Sequence, residues 1–172
     1  MVVASTRRIL LRRFVDADVV PMTVVFGDPD VMRYGVGPQS EDWVRYWIDQ
    51  RITEYERQVF GVWAIVLKEL EHVIGYCGLT RFDDINGSPE LELGYRLAKE
   101  YWGRGLGTEA ATAVRDFAIQ QLGVNRIISL IDPGNTRSIR VAEKLDMIYT
   151  DDALLAGYSH PDRIYIYTHA NR

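Results

Sequence analysis

Three glycines at alternate positions, Gly103, Gly105 and Gly107, open the stretch of this chain best able to do chemistry. In GRGLGT (103–108) they let the backbone bend and approach a ligand closely, and Thr108 and Glu109 open a helix pattern over 109–122. The amides of Arg104, Gly105, Leu106, Gly107 and Thr108 would converge at that helix N-terminus, where the dipole favours an anion. A glycine-rich loop that merely turns the chain has the same composition. Upstream lies an alternating strand, LELGYRL (91–97); downstream come an apolar strand, RIISLI (126–131), and DPGNTRSIRVAEKL (132–145), a helix opened by Asn135. Strand, anion-binding turn, helix, strand and capped helix together describe a site for a phosphate-bearing carrier.

One alternative fails on its surroundings. Gly105, Gly107 and Ala110 satisfy a dinucleotide fingerprint, with Asp132 ending the next strand. The preceding strand, however, alternates Glu92, Gly94 and Arg96 with apolar residues, unlike a buried parallel strand. AKEYWGR (98–104) also separates that strand from the first fingerprint glycine, where a dinucleotide turn is tight, and one helix–strand unit is too little for a mononucleotide half. Metal and nucleophile chemistry find no support either. His72, His160 and His169 have no ligand spacing, Cys77 is a lone cysteine in an apolar strand pattern, and no nucleophilic triad is legible.

The elements that must position this stretch follow from periodicity. RRILLRRF (7–14) reads as a first strand, and Asp16 as the N-cap of a helix over 16–26 that Pro21 should keep short or irregular. DPDVMRY (28–34) reads as a one- or two-turn helix with Pro29 at its first position, followed by a loop, GVGPQ (35–39). Ser40 caps a stronger helix whose apolar residues, Val44, Trp47, Ile48, Ile52 and Tyr55, recur at helical spacing. FGVWAIVLK (60–68) and VIGYCGLTRF (73–82) form a hairpin, and the Asn-Gly of DDINGSP (83–89) turns the chain into LELGYRL. After the second helix come MIYTDDALLA (147–156), a loop (157–162) and a last strand, RIYIYTH (163–169). The order implies α/β or α+β with a largely antiparallel sheet.

A chain of 172 residues, 47% hydrophobic and 26% charged, is expected to be one globular domain over 1–172. A formal charge of −4 argues against a nucleic-acid footprint. No apolar run approaches membrane-spanning length, and Arg7, Arg8, Arg12 and Arg13 interrupt any signal-peptide core, so a cytoplasmic protein is the default expectation.

YRLAKEYWGRGLGTEAATAV (95–114) resembles the acyl-CoA-binding motif of the GNAT superfamily of N-acetyltransferases, and NTRSIRVAEKLDM (135–147) resembles the motif that follows it. TRRILLRRF, DPDVMRY, FGVWAIVLKE and VIGYCGL are similar to the RimJ/RimL-type branch, so the resemblance covers nearly the whole chain. It implies a GNAT fold, a mixed and mostly antiparallel sheet of about seven strands flanked by helices. It implies acetyl-CoA as donor, a primary amine as acceptor, preferably a protein N-terminal α-amine, and a monomer or homodimer with no nucleic-acid or membrane partner. A small amine acceptor and a silent acyl-CoA sensor are the alternatives.

The resemblance also implies roles. The amides of 104–108 would hold the CoA pyrophosphate, with Trp102 where the superfamily has Gln or Arg. Tyr95, Arg96 and Leu97 would splay from the next strand and bond pantetheine through their backbone. Asn135 would contact the pantetheine arm, although a helix N-cap is an equal use. Glu92 would serve as general base, with Glu90 on the same face as its rival. The usual tyrosine seven residues after the asparagine is here Ala142, which leaves Ser138 to assist the departing thiolate and Tyr95, Tyr149 and Tyr158 as further acids. Asp146 replaces the usual glycine at that helix end, a residue that tolerates the left-handed conformation. The acceptor pocket would draw on Met32, Arg33, Tyr34, Trp43, Trp47, Tyr158, Ser159 and His160.

Overall fold

In a computed structural model, which describes residues 1–169, eight strands form one sheet in the order β1-β2-β3-β4-β5-β6-β8-β7. The first strand, β1 (Val2–Ser5), precedes the expected one, which shortens to β2 (Ile9–Arg12). The shortening has a local cause. Thr6 turns back on the carbonyl of Ile9, and the Arg8 amide donates to the Glu109 carboxylate instead of a neighbouring strand.

A 3-10 turn at Asp16–Asp18 leads into α1 (Val19–Gly27). Pro21 sits in the first turn of that helix, where an amide has no intrahelical partner, so α1 is regular over nine residues. Asp18, not Asp16, anchors its start: it accepts from the Val15 amide at 2.9 Å and from both Arg12 terminal nitrogens at 2.7 and 2.8 Å. Residues 28–34 are turns and not the expected helix: Asp28 accepts from the Asp30 and Val31 amides and the Met32 amide reaches the Asp28 carbonyl, but this opening turn is not continued, and the Gly35 amide closes onto Met32 instead. Ser40 does cap α2 (Glu41–Glu54), accepting from the Trp43 amide.

β3 (Val62–Leu67), β4 (His72–Ile85) and β5 (Ser88–Leu97) form an antiparallel meander. Asn86 and Gly87, both at positive φ, make the two-residue turn between β4 and β5. Then follow α3 (Leu106–Leu122), β6 (Arg126–Ile131), α4 (Thr136–Lys144), β7 (Ile148–Ala153) and β8 (Asp162–Thr168). β8 inserts antiparallel between β6 and β7, and only the β5–β6 pairing is parallel. The two faces of the sheet are covered differently. Ala110, Ala111, Val114 and Ala118 of α3 pack on the Cys77–Tyr95 side, and Trp63 meets Phe117 there edge-on at 5.1 Å. On the opposite face Phe26, Trp43 and Trp47 of α1 and α2 cluster around Tyr76.

α4 ends with Asp146 at φ 60°, while the Asp146 and Met147 amides close onto Glu143 and Ala142. Asp146→Gly should therefore raise stability by about 0.5–1 kcal/mol, read as a higher denaturant midpoint with an unchanged slope.

Candidate active site

The candidate site lies where β5 and β6 part. These parallel neighbours share one ladder pair, Glu92↔Ile128. Just beyond it the Ser129 hydroxyl donates to the Leu93 carbonyl at 2.8 Å and pins the vertex from a buried position. Past that point Gly94–Leu97 are laddered to β4 alone. The Arg96 carbonyl lies against Gly75 of β4, so the strand's alternation turns the Tyr95 and Leu97 backbone toward the gap. The Leu97 carbonyl is already taken by the Trp102 indole N–H at 2.9 Å.

Beside this gap the glycine-rich turn delivers the N-terminus of α3. Gly103 and Gly105 adopt φ of 74° and 75°, a left-handed geometry suited to glycine. Gly105 is the N-cap without a side-chain cap bond, and the first intrahelical bond runs from the Glu109 amide to its carbonyl. The intervening amides are left for an outside acceptor, as an anion site requires. Gly107 must be small because a Cβ there would meet the Tyr95 ring at 3.1 Å. The turn is braced from behind. Glu109 accepts from the Thr6 hydroxyl, the Arg8 amide at 2.9 Å and Arg8 Nε at 2.6 Å, while Arg8 Nη1 donates to the Arg104 carbonyl at 2.8 Å. Burial alone would raise the Glu109 pKa, but these donors outweigh it and hold the group below the ordinary carboxylate value.

On this α3 side the Tyr95 hydroxyl donates to Ser138 Oγ at 3.3 Å. Asn135 Oδ1 accepts from the Ser138 amide at 3.2 Å, so the asparagine does act as N-cap. Ala142, one turn beyond Ser138 on the same helix face, is buried, and the phenol arrives from β5. Burial pushes the Tyr95 pKa up to about 12, against a smaller lowering by Ser138, so its proton is retained at neutral pH. Tyr149 lies exposed on β7 in a bond with Asp152, away from this pair.

Glu92 projects from the other face. Burial lifts its carboxyl pKa to about 7, and Asp162 lifts it further, against the Leu130 amide and Arg96, which favour the charged form. Its rival Glu90 is held by Arg126 through contacts of 2.6, 3.1 and 3.2 Å. Among the described residues no cation lies within ion-pair distance of Glu92, which leaves it the uncommitted carboxylate of the strand.

The residues expected to receive the acceptor divide. Met32 is 2% exposed with its sulfur against the Arg96 guanidinium, a core position and not a pocket wall. Trp43 and Trp47 are half-buried and stacked, and Trp47 also packs on Phe14 and Phe26. Tyr34 reaches across to donate to the Gly134 carbonyl at 3.0 Å, closing the turn at 28–34 over the β6–α4 loop. Tyr158 stands in the loop before β8, half-buried, and the exposed Ser159 and His160 follow it. His160 Nε2 is 2.7 Å from Asp132 Oδ2, and Asp162 completes a trio whose polar atoms lie within 4.8 Å of one another.

A family model described as the acetyltransferase (GNAT) domain matches residues 8–148. The chain belongs to the GNAT family. Its relatives include YkkB of Bacillus subtilis (strain 168), 34% identical over 146 residues, 84% of each chain. The uncharacterized N-acetyltransferase p20 of Bacillus licheniformis is 31% identical over 159 residues, 89% of this chain and 85% of its own. Among solved structures, RimL, the ribosomal L7/L12 α-N-protein acetyltransferase in complex with coenzyme A, superposes with a TM-score of 0.80 at 14% identity over 98% of each chain.

For a GNAT acetyltransferase using acetyl-CoA, the free amides at α3, the small Gly107 and the unladdered backbone of β5 fit a pyrophosphate and a pantetheine arm. Arg104 stacks over Tyr101 at 5.4 Å, and Arg137 covers Trp102 at 4.7 Å, a second cation flanking the turn that sequence spacing did not single out. Inside RIISLI a serine carries no signal of its own, so the sequence does not mark Ser129. No helix among the described residues is long and apolar enough to cross a membrane. Glu109→Ala should cost about 1–2 kcal/mol and raise the KM for acetyl-CoA, since it frees Arg8 and the turn together. The stabilisation it removes is present above the ordinary carboxylate pKa and lost as pH falls through the lowered folded value, so melting curves of the two proteins should converge in acid.

Proposed function

We propose that this protein transfers an acetyl group from acetyl-CoA directly to a primary amine, with a protein N-terminal α-amine as the preferred acceptor, in the manner of the RimJ/RimL branch. The observation that carries the proposal is the placement of two unlike groups on opposite faces of one diverging strand: Glu92 on one side, and Tyr95 bonded to Ser138 on the other. Acetyl-CoA brings an activated thioester. The amides of 104–108 bind its pyrophosphate, and the backbone of Tyr95 and Leu97 with the side-chain nitrogen Nδ2 of Asn135 aligns the pantetheine arm along the gap. Glu92 takes the proton that the acceptor ammonium must lose before its nitrogen has a lone pair to attack with. The Tyr95–Ser138 pair donates toward the departing sulfur. The shared fold of RimL supports an α-amine acceptor without naming the target.

Release of free CoA thiol, measured with peptides of varied N-terminal residue and separately with a pool of small amines, tests the proposal. Release with peptides supports the α-amine acceptor. Release with small amines alone assigns a metabolite acetyltransferase. Silence in both, with acetyl-CoA still bound, favours an acyl-CoA sensor.

A further inference from the structure

Asp132, His160 and Asp162 come from different segments, and the transfer chemistry above does not use their side chains. Asp162, the first residue of β8, is 6% exposed, and its Oδ1 is buried without a hydrogen-bond partner. That buried oxygen lacks a donor, and the same carboxylate offers an oxygen within 4.8 Å of polar atoms of Asp132 and His160. Its two neighbours do not supply a donor. Asp132 Oδ1 accepts from the Gly134 amide at 2.7 Å, and Oδ2 faces His160 Nε2. Ser159 Oγ lies 3.3 Å from the other ring nitrogen, Nδ1. With both nitrogens of His160 in hydrogen bonds, the ring braces Asp132 and turns no free lone pair into the cluster. That arrangement suits an incoming N–H donor with positive charge better than a metal ion, which would need the imidazole lone pair.

The trio also lies on the acceptor side. Ile128 and Leu130 share a face of β6 with Asp132, and Ile164 and Ile166 continue that face from Asp162 on β8. The Leu130 amide faces Glu92, and Asp132 stands two residues further out, about 7 Å along the strand. Tyr34, bonded to Gly134, closes over the intervening loop. Burial raises the Asp162 pKa, with Asp132 adding to the shift, and a bound cation would relieve both effects.

We infer that Asp132, His160 and Asp162 form a cation subsite for a second, positively charged group of the acceptor, an ammonium held beyond the one that is acetylated. This inference rests on the acetyltransferase reading above and narrows its acceptor to cationic amines or peptides with a basic residue next to the terminus.

The test compares matched acceptors, 1,5-diaminopentane against pentylamine and a peptide with lysine against norleucine in second position. It uses the wild-type chain, Asp162→Asn and, should that variant fold poorly, Asp132→Asn. The wild type should favour the cationic member about ten- to a hundred-fold in kcat/KM, and the substitution should bring that ratio toward one. A ratio near one in the wild type, or one unmoved by the substitution, overturns the subsite while acetyl transfer stands. If no acceptor is turned over, the transfer reading fails, and binding decides the subsite alone. Nuclear magnetic resonance of ¹⁵N-histidine-labelled protein, with the His160 signal assigned by His160→Gln, should then shift with the diamine and not with pentylamine. Equal responses overturn it. Calorimetric titration with Zn²⁺ is the remaining arm: tight binding abolished by Asp162→Asn would make the trio a metal site and refute the ammonium assignment.

Discussion

Glu92→Gln should lower kcat/KM for the acceptor about a hundred- to a thousand-fold and remove the rise of activity with pH near neutrality. Burial carries this carboxyl to about 7. Below that pH it holds a proton and cannot take another; above it the carboxylate is an available base. The wild-type rate should climb through a pKa near 7, and only the acceptor amine's own titration, near 7.7–8.0 for an α-amine, should remain in the variant. Glutamine keeps the shape and loses the proton exchange, so acetyl-CoA binding should persist. Stability gives an independent reading. The folded-state pKa lies above the unfolded value, so the folded protein holds this proton more tightly across the window from about 4.5 to 7. Wild-type stability should fall as pH rises through that window and level off above it. Glu92→Gln should therefore melt higher than the wild type at pH about 8 and no higher at pH about 4. Persistence in the variant of the limb with a pKa near 7, beside that of the amine, would remove Glu92 from the base role.

Tyr95→Phe should reduce kcat about a hundred-fold while changing the KM for acetyl-CoA little, because the ring that packs on Gly107 is retained and only the hydroxyl goes. Ser138→Ala should cost less, about ten-fold, since the phenol remains to donate. The double variant should be little slower than Tyr95→Phe, as expected of two groups acting as one donor. The hydroxyls share a 3.3 Å bond, and the α4 face carries the buried Ala142 and not a tyrosine. The raised Tyr95 pKa keeps the proton on the phenol, so the hydroxyl stabilises the departing thiolate by donating a hydrogen bond; a thiolate, whose conjugate acid lies near about 8.5, does not take the proton itself. Equal kcat in Tyr95→Phe and the wild type, with chemistry shown to be rate-limiting, would refute the assignment.

What could be read from the sequence was local. GRGLGT announced its turn because left-handed positions select glycine, and Asn135 and Ser40 announced helix starts because their side chains satisfy free amides. Asp146 was correctly placed at a left-handed helix end for the same reason. Pro21 misled because its cost depends on position within the helix, and here it falls in the first turn. DPDVMRY does carry a helix start, with Asp28 capping the Asp30 and Val31 amides, but the ladder stops after one turn as the Gly35 amide closes onto Met32. Long-range placement was the harder part. For Met32, Trp43 and Trp47, expected at an acceptor pocket, the sequence does not show their packing: Met32 is buried, and the half-buried tryptophans join an aromatic layer over Tyr76. The Asp132–His160–Asp162 trio was invisible, since the insertion of β8 beside β6 is what joins residues 28 and 30 positions apart.

Initial-velocity kinetics test direct transfer at the β5–β6 gap most plainly. Acetyl-CoA would be varied at several fixed concentrations of an accepted amine and CoA thiol release followed. Under the proposed direct transfer the acetyl group passes from donor to acceptor with both bound together, so double-reciprocal plots should intersect. Parallel lines, accompanied by a stable acetyl adduct of the protein formed from acetyl-CoA alone, would show a covalent relay and contradict the account.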